Sequence, residues 1–97
     1  MKPHVLKITI NDSGNTQTIL LEGKIAGPWV EEFKRVWRSL ERSAGGKQLR
    51  LDLRGVAFVD ERGRRLLQEI YQETKASFLA NSPLTHYFAN EAMQPRS

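Results

Sequence analysis

The chain has no cysteine. That excludes disulfides, thiolate metal sites and a cysteine nucleophile. It also fits a reducing compartment, so a cytoplasmic location is expected. No run of about 18 apolar residues occurs, so no transmembrane helix or membrane insertion is expected. The opening Met1-Lys2-Pro3-His4-Val5-Leu6-Lys7 lacks the apolar stretch of a secretory signal. Both histidines, His4 and His86, stand far apart without a His-Glu-x-x-His spacing or a carboxylate cluster, so no metal and no cofactor is expected. Gly45-Gly46-Lys47 lacks the rest of a phosphate-binding loop and reads as a short turn. A Ser–His–Asp set drawn from Ser82, His86 and Asp52 has no nucleophile elbow behind it. With no convergent polar set, the chain does not read as an enzyme.

What is present fits one domain. Ninety-seven residues bury about 60–65% of their unfolded surface, enough for one modest core. The expected domain spans 1–97, with a core over about 4–90 and a frayed tail over 91–97. Fifteen Lys and Arg against eleven Asp and Glu give a net charge of +4. The basic residues are scattered and have acidic neighbours, as in Glu31-Glu32 before Lys34-Arg35 and Asp60-Glu61 before Arg62. This mixed surface gives no reason to expect nucleic acid as a partner.

Periodicity orders the elements. His4–Ile10 alternates, with Leu6, Ile8 and Ile10 on one face, and reads as a strand. Asn11-Asp12-Ser13-Gly14-Asn15 reads as a hairpin connection, followed by a second strand over Thr16–Glu22. Gly23 and Gly27 bracket a short connection. Pro28 suits the first turn of a helix. Trp29, Val30, Phe33, Val36, Trp37 and Leu40 then form one helical stripe opposite Glu31, Glu32, Lys34, Arg35, Arg38 and Glu41. Glu31–Arg35 makes a favourable i,i+4 pair and Lys34–Arg38 an unfavourable one. Gly45-Gly46 ends this helix.

Leu49, Leu51 and Leu53 alternate as a third strand over 48–53. A loop over Arg54–Asp60 leads to a second helix over about 61–75 with Leu66, Leu67, Ile70, Tyr71 and Thr74 in its stripe. Asp60 is placed to cap it. Ser77–Ala80 is a short strand. Ser82 and Pro83 open a last helix that turns Leu84, Tyr87, Phe88 and Met93 inward, and Tyr71 and Tyr87 are expected in the core. The predicted fold is α/β, in the order β-β-α-β-α-β-α, with a four-stranded mixed sheet. Two amphipathic helices cover one face, and the other is partly open or touched by the last helix.

The run from Leu49 to Tyr71, L-R-L-D-L-R-G-V-A-F-V-D-E-R-G-R-R-L-L-Q-E-I-Y, resembles the hallmark segment of the STAS domain family, the fold of the anti-sigma-factor antagonists. In that pattern a strand ends in Asp-Leu-(Ser)-Gly-Val. An aliphatic-Asp pair, two small hydroxyl residues, Gly and an apolar helix follow. Leu21-Glu22-Gly23-Lys24-Ile25 resembles the family's Leu-x-Gly-x-Leu ahead of its first helix. The pieces stand in the family's order from about residue 5 to residue 90. Read on their own, Asp52 and Asp60 satisfy loop backbone donors, and Gly55 and Gly63 permit shapes a side chain would hinder. Val56, Phe58 and Val59 pin the loop onto the core.

The departure from the family lies at one position. The antagonists are phosphorylated on a Ser or Thr directly before the conserved Gly, and that residue here is Arg62. Glu61 stands at the preceding position. Arginine has no hydroxyl, so the usual phospho-switch has no acceptor. Glu61 places one negative charge where a phosphate would carry about −1.5 to −2, and an acid there also suits the helix dipole. Arg62, Arg64 and Arg65 form a basic cluster at the same helix start. It reads either as an anion-docking patch using bidentate contacts or as a solvated face neutralised by neighbouring acids.

The resemblance implies a non-catalytic protein-binding regulatory module of the bacterial kind. Its expected docking surface is Asp60, Glu61, Arg62, Gly63, Arg64 and Arg65, with exposed side chains of the first long helix. The implied partner is an anti-sigma factor or its kinase-like domain. Two alternatives stand beside it: a cytoplasmic STAS subunit that grips the ATPase of a lipid-trafficking transporter, and a domain that binds an anion, lipid or nucleotide.

Overall fold

Strand β1 (Lys7–Ser13) and strand β2 (Thr16–Ile25) form an antiparallel hairpin in the computed structural model, which describes residues 6–43 and 46–94. Ser13 pairs with Thr16, so the loop has two residues, Gly14-Asn15. Gly14 adopts φ +62, a conformation that costs glycine little at the first central position of a hairpin turn. β1 therefore runs through Asn11–Ser13, which the sequence reading assigns to the connection. On the core side Leu6 is buried, Ile8 half-buried and Ile10 exposed, so the apolar face thins towards the turn.

Helix α1 (Pro28–Ser43), strand β3 (Gln48–Val59), helix α2 (Glu61–Thr74), strand β4 (Ser77–Leu79) and helix α3 (Pro83–Met93) complete the order. The sheet runs β1-β2-β3-β4, with β3 parallel to β2 and β4 parallel to β3. The predicted class, element order and mixed four-stranded sheet are all present. Both parallel steps move the same way along the sheet, so right-handed crossovers put α1 and α2 side by side on one face. Ion pairs join them: Arg38–Glu69 at 2.8 Å, Arg38–Glu73 at 3.1 Å and Arg62–Glu31 at 2.8 Å. On its other flank α2 meets α3, where the Gln68 amide donates to the Glu91 carbonyl at 3.2 Å.

Between sheet and helices lies one core. Ile19, Leu21 and Ile25 of β2 and Leu51, Leu53, Val56 and Val59 of β3 face Val30, Phe33 and Trp37 of α1 and Leu66, Leu67 and Ile70 of α2. Outside the helix-covered face, Lys24, Arg50, Arg54 and Phe58 are exposed.

Several boundaries differ from the sequence reading for one reason. β3 does not end at Leu53. It continues to Val59 as the neighbour of Glu22–Ile25. Leu20 pairs with Asp52 but Glu22 with Gly55, and Gly23 with Val56 but Lys24 with Phe58. β3 thus carries an extra residue at two places. Each bulge shifts the inward side by one, so the buried residues fall at Leu53, Val56 and Val59, spaced by three. β2 likewise extends through the expected Gly23–Gly27 connection to Ile25. Phe58, expected to pin a loop on the core, is 48% exposed.

α3 also differs. Its inward residues are Thr85, Phe88, Ala89 and Ala92, while Leu84, Tyr87 and Met93 are exposed. Tyr71 is half-buried, and Tyr87 is not a core residue. Ser82 accepts from the Thr85 N–H and Thr85 Oγ1 takes the Ser82 N–H, a capping box ahead of Pro83. The helix continues through Met93 with Ala92 buried, so residues 91–93 belong to the packed domain and not to a frayed tail. The readings that fall on His4, Val5, Gly45 and residues 95–97 lie outside the described residues.

Candidate functional site

The six residues singled out by sequence sit where β3 turns into α2. At this end of the sheet Val59 pairs with Ile25, so the β2–α1 and β3–α2 turns are neighbours. The Asp60 N–H donates to the Ile25 carbonyl at 3.1 Å. Asp60 then leaves the strand in extended backbone, φ −84 and ψ −177, and folds its carboxylate over both helix starts. Oδ1 accepts from the Gly63 N–H at 2.8 Å and Oδ2 from the Gly27 N–H at 2.9 Å. The predicted N-cap is present, and its second oxygen does a job no local pattern announces. A short acid is needed because both targets are unpaired backbone donors at helix starts.

Gly63 is buried in the first turn of α2. A Cβ there would lie 2.5 Å from the Ile25 carbonyl oxygen and 2.9 Å from Val59 Cγ1. Asp60 and Gly63 therefore build the turn. Gly63 is buried and Asp60 half-buried.

Glu61, Arg62 and Arg65 point outward, with Arg64 half-buried beside α3. Arg62 reaches across to Glu31 of α1 at 2.8 Å. Arg64 is held by Glu61 and lies 3.7 Å from Glu91. Arg65 pairs with Glu61 at 3.2 Å. The hydrogen bond from Arg64, helped by the charge of Arg65, holds the Glu61 carboxyl below its usual range. The same bond holds the Arg64 guanidinium above its usual value.

A shallow groove of about 200 Å³ runs between α1 and α2, lined by Val30, Glu31, Lys34, Arg62, Arg65, Leu66 and Glu69. Lys34, Arg62, Arg64 and Arg65 share this region with Glu31, Asp60, Glu61, Glu69 and Glu91. The anion-docking patch of the sequence reading is thus a mixed-charge seam with each arginine already paired.

Glu61, already named in the sequence reading, pairs with Arg64 and Arg65 on its own helix, whereas Glu31 and Glu91 come from other elements and no local pattern brings them in. Glu31 serves Arg62 across the helix pair, whereas Arg35 takes Glu32 at i,i+3. Lys34 and Arg38, expected to repel, share Glu69. The sequence reading places Glu91 in a tail. A periodic run of outward charges on both helices is the only sequence signal for such a seam.

Asp52, expected to serve loop donors, is buried and accepts the Arg54 N–H at 3.1 Å. It also takes the Arg54 guanidinium in a two-pronged pair at 3.0 and 2.8 Å. Hydrogen bonding from Arg54 holds its carboxyl below the ordinary range, against the opposing effect of burial. Among the described residues no group of three or more His, Asp or Glu gathers at metal-ligand distance, and no helix is long and apolar enough to cross a membrane. No protein-family model matches the chain, and no curated protein matches it.

Proposed function

We propose that this chain is a non-catalytic protein-binding module, similar in kind to the STAS anti-sigma-factor antagonists, that docks through the start of α2 without a phosphoryl switch. One observation carries the reading. The residue ahead of the buried Gly63, where those antagonists carry their phosphorylatable hydroxyl, is Arg62, exposed and tied to Glu31 of the adjacent helix. Residues 58–66 hold no Ser, Thr or Tyr. That segment therefore offers no hydroxyl for a phosphate.

The rigid turn beneath and the exchangeable charges above suit docking. Asp60 and Gly63 fix where α2 begins. The exposed ion pairs above them are weak because water screens them, so a partner's carboxylates can replace Glu31 and Glu61 on the arginines at little cost. Guanidinium groups then offer two-pronged contacts of defined direction. A protein face with charges of both signs fits this seam better than a free phosphate, nucleotide or lipid headgroup, because five carboxylates stand among four cations. By the resemblance, the partner is an anti-sigma factor or kinase-like domain. A transporter ATPase would use the same surface.

Photo-crosslinking tests the proposal. A photoreactive residue replacing Arg65 should capture a discrete protein, and one replacing Thr18 on the opposite sheet face should not. The triple variant Arg62→Ala/Arg64→Ala/Arg65→Ala, checked for native circular dichroism, should lose at least tenfold in captured partner. Equal capture by the native chain and the triple variant overturns the reading.

A further inference from the structure

The sheet has a second face, turned away from α1 and α2. Along β2 the side chains of Ile19, Leu21 and Ile25 enter the core, so Thr16, Thr18, Leu20, Glu22 and Lys24 stand on the opposite face. Strand register carries that face sideways. On β1, Lys7 lies beside Glu22 and Thr9 beside Leu20. On β3, Arg50 lies beside Thr18, Asp52 beside Leu20 and Phe58 beside Lys24. Arg54 joins them through its two-pronged bond to Asp52.

The fold sorts charges that the sequence leaves mixed. Helices α1 and α2, with the Asp60 cap, carry seven Lys and Arg against seven Asp and Glu. The other sheet face carries four cations, Lys7, Lys24, Arg50 and Arg54, all exposed, against Glu22 and Asp52. Both of those acids are engaged. Asp52 is held by Arg54, and Glu22 lies 4.0 Å from Lys7. Lys24 and Arg50 make no ion pair among the described residues. This face therefore holds an uncompensated positive field, and its complement is an anion.

The layout of the cations sets the shape of that anion. The row of Arg50 and the row of Lys24 are six residues apart along β2, roughly 20 Å at 3.3 Å per residue. Lys7 and Arg54 lie between those rows. A single phosphate or carboxylate reaches one end only, whereas a chain of anions reaches all four cations. Phe58, 48% exposed, stands beside Lys24 and is the one exposed large apolar residue of this face among the described residues. A lone ring among cations gives a base a surface to stack on while the cations take the phosphates. A protein partner calls for a cluster of apolar anchors, and a bilayer surface for several apolar side chains that enter it. Neither is present on this face.

We infer that this sheet face binds single-stranded nucleic acid. Phe58 stacks on a base, and Lys7, Lys24, Arg50 and Arg54 hold phosphates along the strand. The site lies across the sheet from the start of α2 and does not depend on the docking surface there.

Fluorescence anisotropy with short fluorescein-labelled oligouridine and oligothymidine tests the inference, and the tighter of the two tells RNA from DNA. Affinity should fall with salt on a log–log slope of about −2.8, from about 0.7 for each of four phosphate contacts. Lys24→Ala/Arg50→Ala should weaken binding at least tenfold and bring the slope to about −1.4. Arg42→Ala removes an exposed cation from α1 and should leave binding within twofold. Phe58→Ala should weaken binding at least fivefold, and Phe58→Trp should retain it, because the stacking surface is kept. All variants are checked for native circular dichroism. Binding of neither strand overturns the inference. So does equal competition by polyglutamate or by phosphatidylglycerol vesicles at matched charge, which would assign the face to an acidic protein or a membrane. Loss in Lys24→Ala/Arg50→Ala no greater than in Arg42→Ala overturns it too, as does undiminished binding by Phe58→Ala.

Discussion

Replacing Gly63 by alanine isolates the seat of α2 from everything else in the domain. Inside a helix this change ordinarily stabilises by about 1 kcal/mol, because alanine restricts the unfolded chain and favours the helix. Here the new Cβ would lie 2.5 Å from the Ile25 carbonyl oxygen and about as close to Val59. That oxygen belongs to a central strand and already accepts the Asp60 N–H, so no side-chain rotation relieves the contact. Overpacking costs about 1–3 kcal/mol and more when the neighbour cannot yield. A gross cost near 3 kcal/mol less the helix gain leaves a net loss of about 2 kcal/mol, a fall in Tm of roughly 8–16 °C for a domain of this size. Gly55→Ala is the internal control. Its Cβ would meet Glu22 Cγ at 2.8 Å, with Glu22 Cβ and the Leu21 carbonyl oxygen at 3.4 Å, so rotation of the Glu22 side chain can relieve the tightest contact. It should cost less than Gly63→Ala, whose tightest contact is with backbone. Thermal denaturation of both variants decides the matter. If Gly63→Ala is neutral or stabilising, α2 does not start against Ile25 and the site geometry is wrong.

Three further outcomes follow from the same structure. Asp60→Ala removes one bond at each helix start and should cost about 2–3 kcal/mol in urea denaturation, more than the ~1 kcal/mol of a cap that serves a single donor. For Asp52 the folded carboxyl titrates below its unfolded value because of Arg54. Its stabilisation is therefore complete above about pH 4, the ordinary aspartate range, and is lost as pH falls through the lower folded value. Urea midpoints measured from pH 6 to pH 2 should fall in the native chain and fall less steeply in Asp52→Asn. Ala92→Leu overfills the contact between α3 and its neighbours and should cost about 1–3 kcal/mol, whereas Tyr87→Ser, at an exposed position, should change Tm little. A neutral Ala92→Leu would mean that residues 91–93 are loose after all.

Much of the fold was legible because its signals are local. The α1 stripe from Trp29 to Leu40 and the Leu49-Leu51-Leu53 alternation depend only on residues a few positions apart, and both segments take the predicted form. The second half of β3 was not legible because two bulges replace the period of two by a spacing of three across Leu53, Val56 and Val59. A strand with that spacing looks like a loop. In α3 the large apolar residues misled. The close approach of a neighbouring helix selects Ala89 and Ala92 for the inward side and leaves Leu84 and Tyr87 in water. At the candidate site Asp60 and Gly63 announced themselves by capping and by backbone space. The partners that Arg62 and Arg64 find on other helices did not, since Glu31 and Glu91 arrive from distant parts of the chain.

The Asp60 carboxylate bonds an amide at the head of each long helix, Gly27 on one side and Gly63 on the other. Two crossovers far apart in sequence thereby share one latch. Neither helix head can fray without releasing the other, so their amide hydrogens should trade with deuterium in step, and whatever grips one end of the pair is felt at both.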